Sequence, residues 1–249
     1  MYYCCGVTDK GIMPHNEDAL LINKSVIDSG SSEQNVSVPF IAAVSDGVSG
    51  ERSGELASKM CLELVRDIDY SREVKLDDEL LGIHQKLADY SRSDPEMHNM
   101  QATLCGIAVD ETGNILTFNV GDSRLYRYRS GRIKQISRDQ SLVQLLIDEG
   151  AITSEERKNH VHRNIIFPVF GNQKSAPQID TVVLEGGMEY GDLLLLCTDG
   201  LSDYVSVLDI EEIIEMPKSL DMRLHMLVKK ALDNGSKDNI SIIAVAYYE

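Results

Sequence analysis

Three apolar runs in this chain end on the same small acidic phrase. Phe40-Ile41-Ala42-Ala43-Val44 stops at Ser45-Asp46-Gly47, Leu193-Leu194-Leu195-Leu196 at Cys197-Thr198-Asp199-Gly200, and Ile115 to Val120 at Gly121-Asp122. Runs of this length fit strands buried on both faces, so each would carry a carboxylate out to its end. A glycine beside the aspartate lets the backbone turn sharply and bares a carbonyl oxygen, so Asp46 and Gly47 together offer hard oxygens to a cation. Asp-Gly is also ordinary turn chemistry, and a single instance says no more than that. Recurrence shifts the balance toward a shared site. A fourth aspartate, in Lys237-Asp238-Asn239, stands just ahead of the apolar stretch Ile240 to Tyr247.

The periodicity predicts how these strands are connected. Tyr2 to Thr8 reads as a strand ending at Asp9-Lys10-Gly11, and Ala19 to Ile22 as another, preceded by Pro14-His15-Asn16-Glu17-Asp18. That cluster is either a solvated loop or a pair of carboxylates leaning toward a strand mouth. Asp28 to Ser37, rich in Ser, Asn and Gly, reads as a surface loop. Ser53 is placed to cap a helix whose apolar stripe is Ala57, Met60, Cys61, Leu64, Val65 and Ile68, and Leu76, Leu80, Ile83, Leu87 and Tyr90 mark a second helix. From Ala102 the period changes to that of short strands, Thr103 to Val109, Ile115 to Val120, Leu125 to Arg129 and Ile133 to Ile136, an antiparallel meander.

Residues Asp139 to Gln178 form a different kind of segment, with a short helix, a Thr153-Ser154-Glu155-Glu156 helix start and a basic patch of His160, His162 and Arg163, and read as an inserted flap. A strand from Gln178 to Leu184, the Leu193 to Asp199 strand, helices near Ser206 to Glu215 and Ser219 to Asn234, and a closing strand complete one domain over residues 1–249. Helices come in groups instead of alternating with strands. That predicts an α+β fold of antiparallel sheets covered by helix pairs, and argues against a doubly wound parallel sheet.

Bulk properties exclude several functions. With 40 Asp and Glu against 24 Lys and Arg, the formal charge of −16 speaks against nucleic-acid or anionic-membrane partners. No stretch has the length of a membrane span, and the N-terminus lacks a signal peptide's pattern, so a cytoplasmic location is expected. Five cysteines, three of them inside apolar runs, fit reduced core thiols better than disulfides or a zinc site.

If Asp46, Asp199 and Asp238 converge, with Glu17, Asp18, Asp122 and Asp203 nearby, their mutual repulsion has to be relieved by protons or by cations. Carboxylate and carbonyl ligands select Mg²⁺ or Mn²⁺. Two such ions about 3.5–4 Å apart would activate a shared water for in-line hydrolysis of a phosphoester, with no serine, cysteine or histidine nucleophile.

The ordered set Asn16-Glu17-Asp18, Ser45-Asp46-Gly47, Gly121-Asp122-Ser123-Arg124, Cys197-Thr198-Asp199-Gly200-Leu201-Ser202-Asp203 and Lys237-Asp238-Asn239 resembles the type-2C metal-dependent serine/threonine protein phosphatases in their compact bacterial form. The resemblance runs from about Gly6 to Ala246. It implies a four-layer α-β-β-α sandwich with two to three Mn²⁺ or Mg²⁺ ions at one end of the sheets. It implies that Asp46 bridges two ions, that Gly47 adds its carbonyl, that Asp199 and Asp238 hold the other ion, that Glu17 and Asp18 act through water, and that Asp122 and Asp203 join Asp199 at a third ion. It implies phosphoserine and phosphothreonine proteins as substrates, a serine/threonine kinase as the opposed partner, and a flap that borders the cleft, where His162 and Arg163 would favour anionic substrates.

Three positions depart from the pattern. Met13 stands where the family usually has an arginine that clamps the phosphate, leaving His15, Lys10 or Arg52 as substitutes. Val48 stands where the animal branch has a histidine, which leaves water as the acid. Met100-Gln101-Ala102-Thr103 replaces the usual Met-Gly-Thr-Thr at the meander's start, a packing change. The missing arginine also admits a second reading, a catalytically weak phosphoprotein-binding or regulatory module on the same fold.

Overall fold

The computed structural model describes residues 1–48, 52–93 and 99–248, except the side chains of residues 52, 158 and 159. The chain begins with β1 (Tyr2–Asp9), β2 (Asp18–Ile22), β3 (Ser25–Ile27), β4 (Gly30–Val36) and β5 (Phe40–Asp46), followed by α1 (Arg52–Arg66) and α2 (Leu76–Ser93). Next come β6 (Leu104–Val109), β7 (Ile115–Val120), β8 (Arg124–Arg129), β9 (Arg132–Gln135), α3 (Leu142–Asp148) and a 3-10 turn, Glu156–Asn159. The last elements are β10 (Asp180–Val183), β11 (Leu193–Cys197), α4 (Asp199–Ser202), α5 (Val207–Glu215), α6 (Leu220–Asp233) and β12 (Ile240–Tyr247).

The strands form two six-stranded sheets, ordered β4-β1-β12-β11-β8-β9 and β10-β7-β6-β5-β2-β3. All of the pairings are antiparallel. Strand alternation divides the core into three. Cys4, Leu194, Leu196 and Val245 from one sheet meet Leu20, Ala42, Cys105 and Ile107 from the other. On the outer face of the first sheet, Cys5, Leu195 and Ala244 pack against Leu201, Ile210, Leu224 and Leu227 of α4, α5 and α6. On the outer face of the second, Leu21, Ala43 and Phe118 pack against Cys61, Leu62, Leu80 and Leu87 of α1 and α2. The result is antiparallel sheets covered by helices, as the grouping of elements predicts, in the α-β-β-α order that the family resemblance implies. All five cysteines are buried and free.

Three local expectations are corrected. Gly30–Val36 is a strand, not a loop: it forms the sheet edge by backbone pairing with β1, and its polar side chains suit an open face. The meander is broken, because β6 and β7 belong to one sheet while β8 pairs with β11 in the other. The crossing is made at Gly121-Asp122-Ser123. Ser53 lies inside the first turn of α1 instead of capping it, whereas Ser206 and Ser219 do cap α5 and α6, accepting from Asp209 N and Met222 N. Ser49 and Gly50, which follow the first acidic phrase, and the Arg52 side chain, a candidate phosphate contact, lie outside the described residues.

Candidate active site

Antiparallel pairing gathers the acidic phrases at one end of the sandwich. Asp18, the first residue of β2, pairs directly with Asp46, the last of β5. β11 leads into Asp199 beside the start of β12, which Asp238 precedes, and the crossing between sheets delivers Asp122. Asp199 was expected at a strand end; it is instead the first residue of α4, one position beyond the N-cap Thr198.

A cavity of about 1010 Å³ opens here. Its wall includes Glu17, Asp46, Gly47, Asp122, Asp199, Asp238 and Asn239, together with Met13, Val48 and Asn164 to Val169. Asp18 lies beneath it, buried, and Asp203 is half-buried beside it. His162 and Arg163 do not belong to the wall, which begins one residue later at Asn164. Both are exposed, and the His162 ring stacks obliquely 5.7 Å from that of His160.

Two bare Cα atoms set the spacing. A Cβ on Gly54 in α1 would lie 2.3 Å from Glu17 Oε2 and 2.8 Å from the Gly47 carbonyl oxygen, so these two oxygens face the same glycine. A Cβ on Gly200 would lie 1.8 Å from the Asn239 carbonyl oxygen, so α4 sits directly against the backbone that carries Asp238. Any larger residue at either place would push the carboxylates apart.

Hydrogen bonds fix the backbone around the acids. Asn239 Oδ1 accepts from Glu17 N at 2.8 Å, while its Nδ2 donates to Lys10 O and His15 O at 3.0 and 2.9 Å, stapling the loop before β2 to the start of β12. Thr198 Oγ1 donates to Asp18 Oδ2 at 2.8 Å. Thr103 Oγ1 accepts from Asp46 N at 3.1 Å and bonds Ser123 Oγ at 2.9 Å, joining the two sheets. Gln140 Oε1 accepts from Gly121 N at 2.9 Å and so holds the residue before Asp122. Asn239, Thr103 and Gln140 were not singled out from sequence. Asn239 alone carried a signal, its place in the phrase with Asp238.

The charges are in conflict. Withdrawal from water, and then repulsion from Asp18, Asp199, Asp238 and Asp122, raises Asp46 well above the usual carboxylate range. Asp199 is raised well above it for the same reason, by withdrawal from water and then by Asp122, Asp238, Asp203 and Asp18. Burial pushes Asp18 up to about 7 despite hydrogen bonds from Ser241 and Thr198, and withdrawal from water with repulsion by Asp139 and Asp203 pushes Asp122 up to about 6. Asp199 Oδ1 is buried and accepts no hydrogen bond from the described residues. Asp46, Asp122, Asp199 and Asp238 line the cavity; no three His, Cys, Asp or Glu among the described residues close into a compact ligand cluster. The donors are all hard oxygens, and an orphaned carboxylate oxygen amid like charges fits a divalent cation.

A family model described as protein phosphatase 2C matches residues 23–234. The chain belongs to the protein phosphatase 2C family. This phosphatase is 31% identical over 248 residues to the serine/threonine phosphatase stp of Listeria welshimeri, covering 96% of this chain and 93% of that one. It is 32% identical over 209 residues to PstP of Mycobacterium tuberculosis, covering 82% of this chain and 39% of that longer protein. Among solved structures, that of M. tuberculosis PstP/Ppp superposes on the phosphatase with a TM-score of 0.82 at 27% identity, covering 100% of both chains. Stp1 of Staphylococcus aureus superposes with a TM-score of 0.83 at 29% identity, covering 100% of this chain and 96% of that one. A structure of the PstP catalytic domain in complex with 2 manganese ions superposes with a TM-score of 0.80 at 27% identity, covering 100% of each chain.

Proposed function

We propose that this phosphatase removes phosphate from phosphoserine and phosphothreonine of proteins, opposing a serine/threonine kinase, with two to three Mn²⁺ or Mg²⁺ ions as cofactors. The observation that carries this reading is the acidic ring with Asp199 Oδ1 unpaired inside it. Asp46 and the Gly47 carbonyl would hold one ion and share Asp46 with a second, which Asp199 and Asp238 complete. Glu17 and Asp18 would act through water, and Asp122 with Asp199 and Asp203 would hold a third.

When bound, such ions supply positive charge opposite the phosphoryl oxygens and acidify water. The chain's own residues do the rest. Asn239 holds the Glu17 backbone, Thr198 orients the Asp18 carboxylate, and Thr103 holds the Asp46 amide. Val48 and Met13 offer no proton and no positive charge, so the leaving oxygen would take its proton from water, and neither side chain would pair with the phosphoryl group. His15, on the cavity wall, is the side chain placed to add a contact.

Residues 139–178 would serve as a flap bordering this cleft. Five free, buried cysteines suit a reducing compartment, in keeping with a cytoplasmic location, and among the described residues no helix is long and apolar enough to cross a membrane. The binding-module reading has no support in the site, since Met13 displaces none of the carboxylates.

The test is phosphate release from a phosphothreonine peptide with Mn²⁺, alongside calorimetric titration of Mn²⁺. Activity that disappears with a chelator, and an Asp46→Asn variant that folds but loses both turnover and the tighter Mn²⁺ binding, support the reading. Chelator-resistant turnover refutes the metal mechanism.

A further inference from the structure

The cavity's lining is of two kinds. Besides the acids, Met13, Val48, Ile165 and Phe167 line it while leaving 37, 37, 46 and 38% of their surfaces exposed. Single exposed apolar side chains are ordinary, but four around one cavity form a patch with a location. The part carried by residues 165–167 is held firmly. Ile165 O accepts from Leu142 N at 2.9 Å, Phe167 N donates to Gln140 O at 2.9 Å, and Phe170 and Ala102 exchange backbone bonds of 3.1 and 3.2 Å. One end is thus tied to the start of α3 and the other to the approach to β6, and the side chains are presented on a fixed frame.

The charge on this wall is as informative as its apolarity. Among the described residues lining the cavity there is no lysine and no arginine, and His15 is the one side chain able to carry positive charge. An acidic group entering beside the phosphoryl group and resting on this apolar lining would lose water and find no lysine or arginine to pair with.

Taking the phosphatase reading as given, we infer that this wall receives an apolar side chain adjacent to the phosphorylated residue, so that the enzyme selects phosphopeptides with apolar neighbours and rejects those with acidic ones. The phosphoryl group has to reach the carboxylate ring. The residues on either side of it follow at about 3.5 Å of chain each and so come to rest against the cavity's sides. A volume of about 1010 Å³ has room for them as well as for the phosphorylated side chain. Covering part of the exposed patch with one leucine-sized side chain is worth about tenfold in specificity.

The experiment compares two phosphothreonine peptides that differ only in carrying Leu or Glu on both sides of the phosphothreonine, with p-nitrophenyl phosphate as a small substrate, all with Mn²⁺. Wild-type enzyme should favour the Leu peptide in kcat/KM by about tenfold or more, mainly through KM. In the double variant Ile165→Ser, Phe167→Ser the ratio between the peptides should fall toward one, while Phe167→Leu should keep it. Being a ratio within one enzyme preparation, it is insensitive to partial loss of folded protein. A wild-type ratio near one, or a ratio the serine variant does not change, overturns the inference while turnover of p-nitrophenyl phosphate leaves the phosphatase reading standing. No turnover of any of the three overturns that reading, and the inference with it.

Discussion

Arg157 places its Nη2 2.6 Å from Oδ2 of Asp139, a carboxylate whose side chain has no exposed surface. The same nitrogen lies 3.7 Å from Oδ1 of Asp203, so one cation from the 139–178 segment bridges a buried acid and the edge of the acidic ring. Asp139 is also gripped by Arg124, through Nε at 3.0 Å and Nη2 at 2.8 Å. Burial alone would raise the Asp139 carboxyl; the two guanidinium groups reverse that and hold it below its ordinary range.

Loss of the shared acid should therefore cost more than loss of either arginine. Asp139→Asn leaves two guanidinium groups facing each other without their counter-charge, and is expected to destabilise the fold by about 3–5 kcal/mol. Arg157→Ala leaves the Arg124 pair intact and should cost about 1.5–3 kcal/mol, with faster proteolytic cleavage within residues 139–178. Urea unfolding of the two variants measures the difference; a negligible cost for Arg157→Ala would show that Arg157 is a surface contact and no bridge.

Much of this architecture was legible in the sequence because its signals are local. The β5, β11 and β12 strands announce themselves as short apolar runs, and α5 and α6 by serine caps ahead of helical periodicity. β4 was not legible: Gly-Ser-Ser-Glu-Gln-Asn-Val has no apolar face, and what makes it a strand is a row of backbone partners on β1, distant along the chain. The acids of the site were legible through their repeated phrase. The apolar part of the lining was not, because Ile165 and Phe167 look like any apolar residues until the backbone bonds to Leu142 and Gln140 hold them at the cavity. Arg157 gave no signal either, since its partners lie 18 and 46 positions away.

The acidic ring and Asp110, in the turn between β6 and β7, should together make stability depend on pH in opposite directions above and below about pH 4. Asp18 and Asp122, pushed up to about 7 and about 6, bind more protons folded than unfolded across that interval, so the metal-free protein should lose stability as pH rises from about 4 through 7. Asp110 behaves the other way. Hydrogen bonds from Thr112 and Asn114 outweigh burial and hold it at about 2, so its contribution is complete above about pH 4 and is lost as pH falls toward 2. In chelator, Tm should therefore peak in mildly acid solution, and Mn²⁺ should raise Tm more at about pH 8 than at about pH 5.5. A chelated protein whose Tm climbs steadily from about pH 5 to 8 would contradict the charge conflict described here.

Three hydrogen bonds of the Asn239 side chain fasten the loop that carries Glu17. Asn239→Ala should leave the sheets intact and lower Mn²⁺ affinity by about 10–100-fold, the usual effect of removing a residue that orients a ligand. Titration calorimetry on the folded variant decides it. Unchanged affinity would mean that the loop keeps its place without the staple.

Two glycine-to-alanine changes separate packing at the site from helix propensity. Gly54→Ala puts a methyl group where Glu17 Oε2 stands 2.3 Å and the Gly47 carbonyl oxygen 2.8 Å from the ideal Cβ position, so the carboxylate has to swing away or α1 has to lift. A displacement on the scale of an ångström at a reaction centre costs about 100-fold in rate, and that is the expected loss in kcat/KM. Gly82→Ala, in the middle of α2, meets nothing within 4 Å, and alanine there should stabilise the fold by about 0.5–1 kcal/mol while leaving turnover as it was. Melting curves and phosphopeptide kinetics on the pair test both halves at once. If Gly54→Ala kept full activity, the close approach of α1 to Gly47 and Glu17 would have no part in placing the acids, and the spacing of the site would have to come from the strand ends alone.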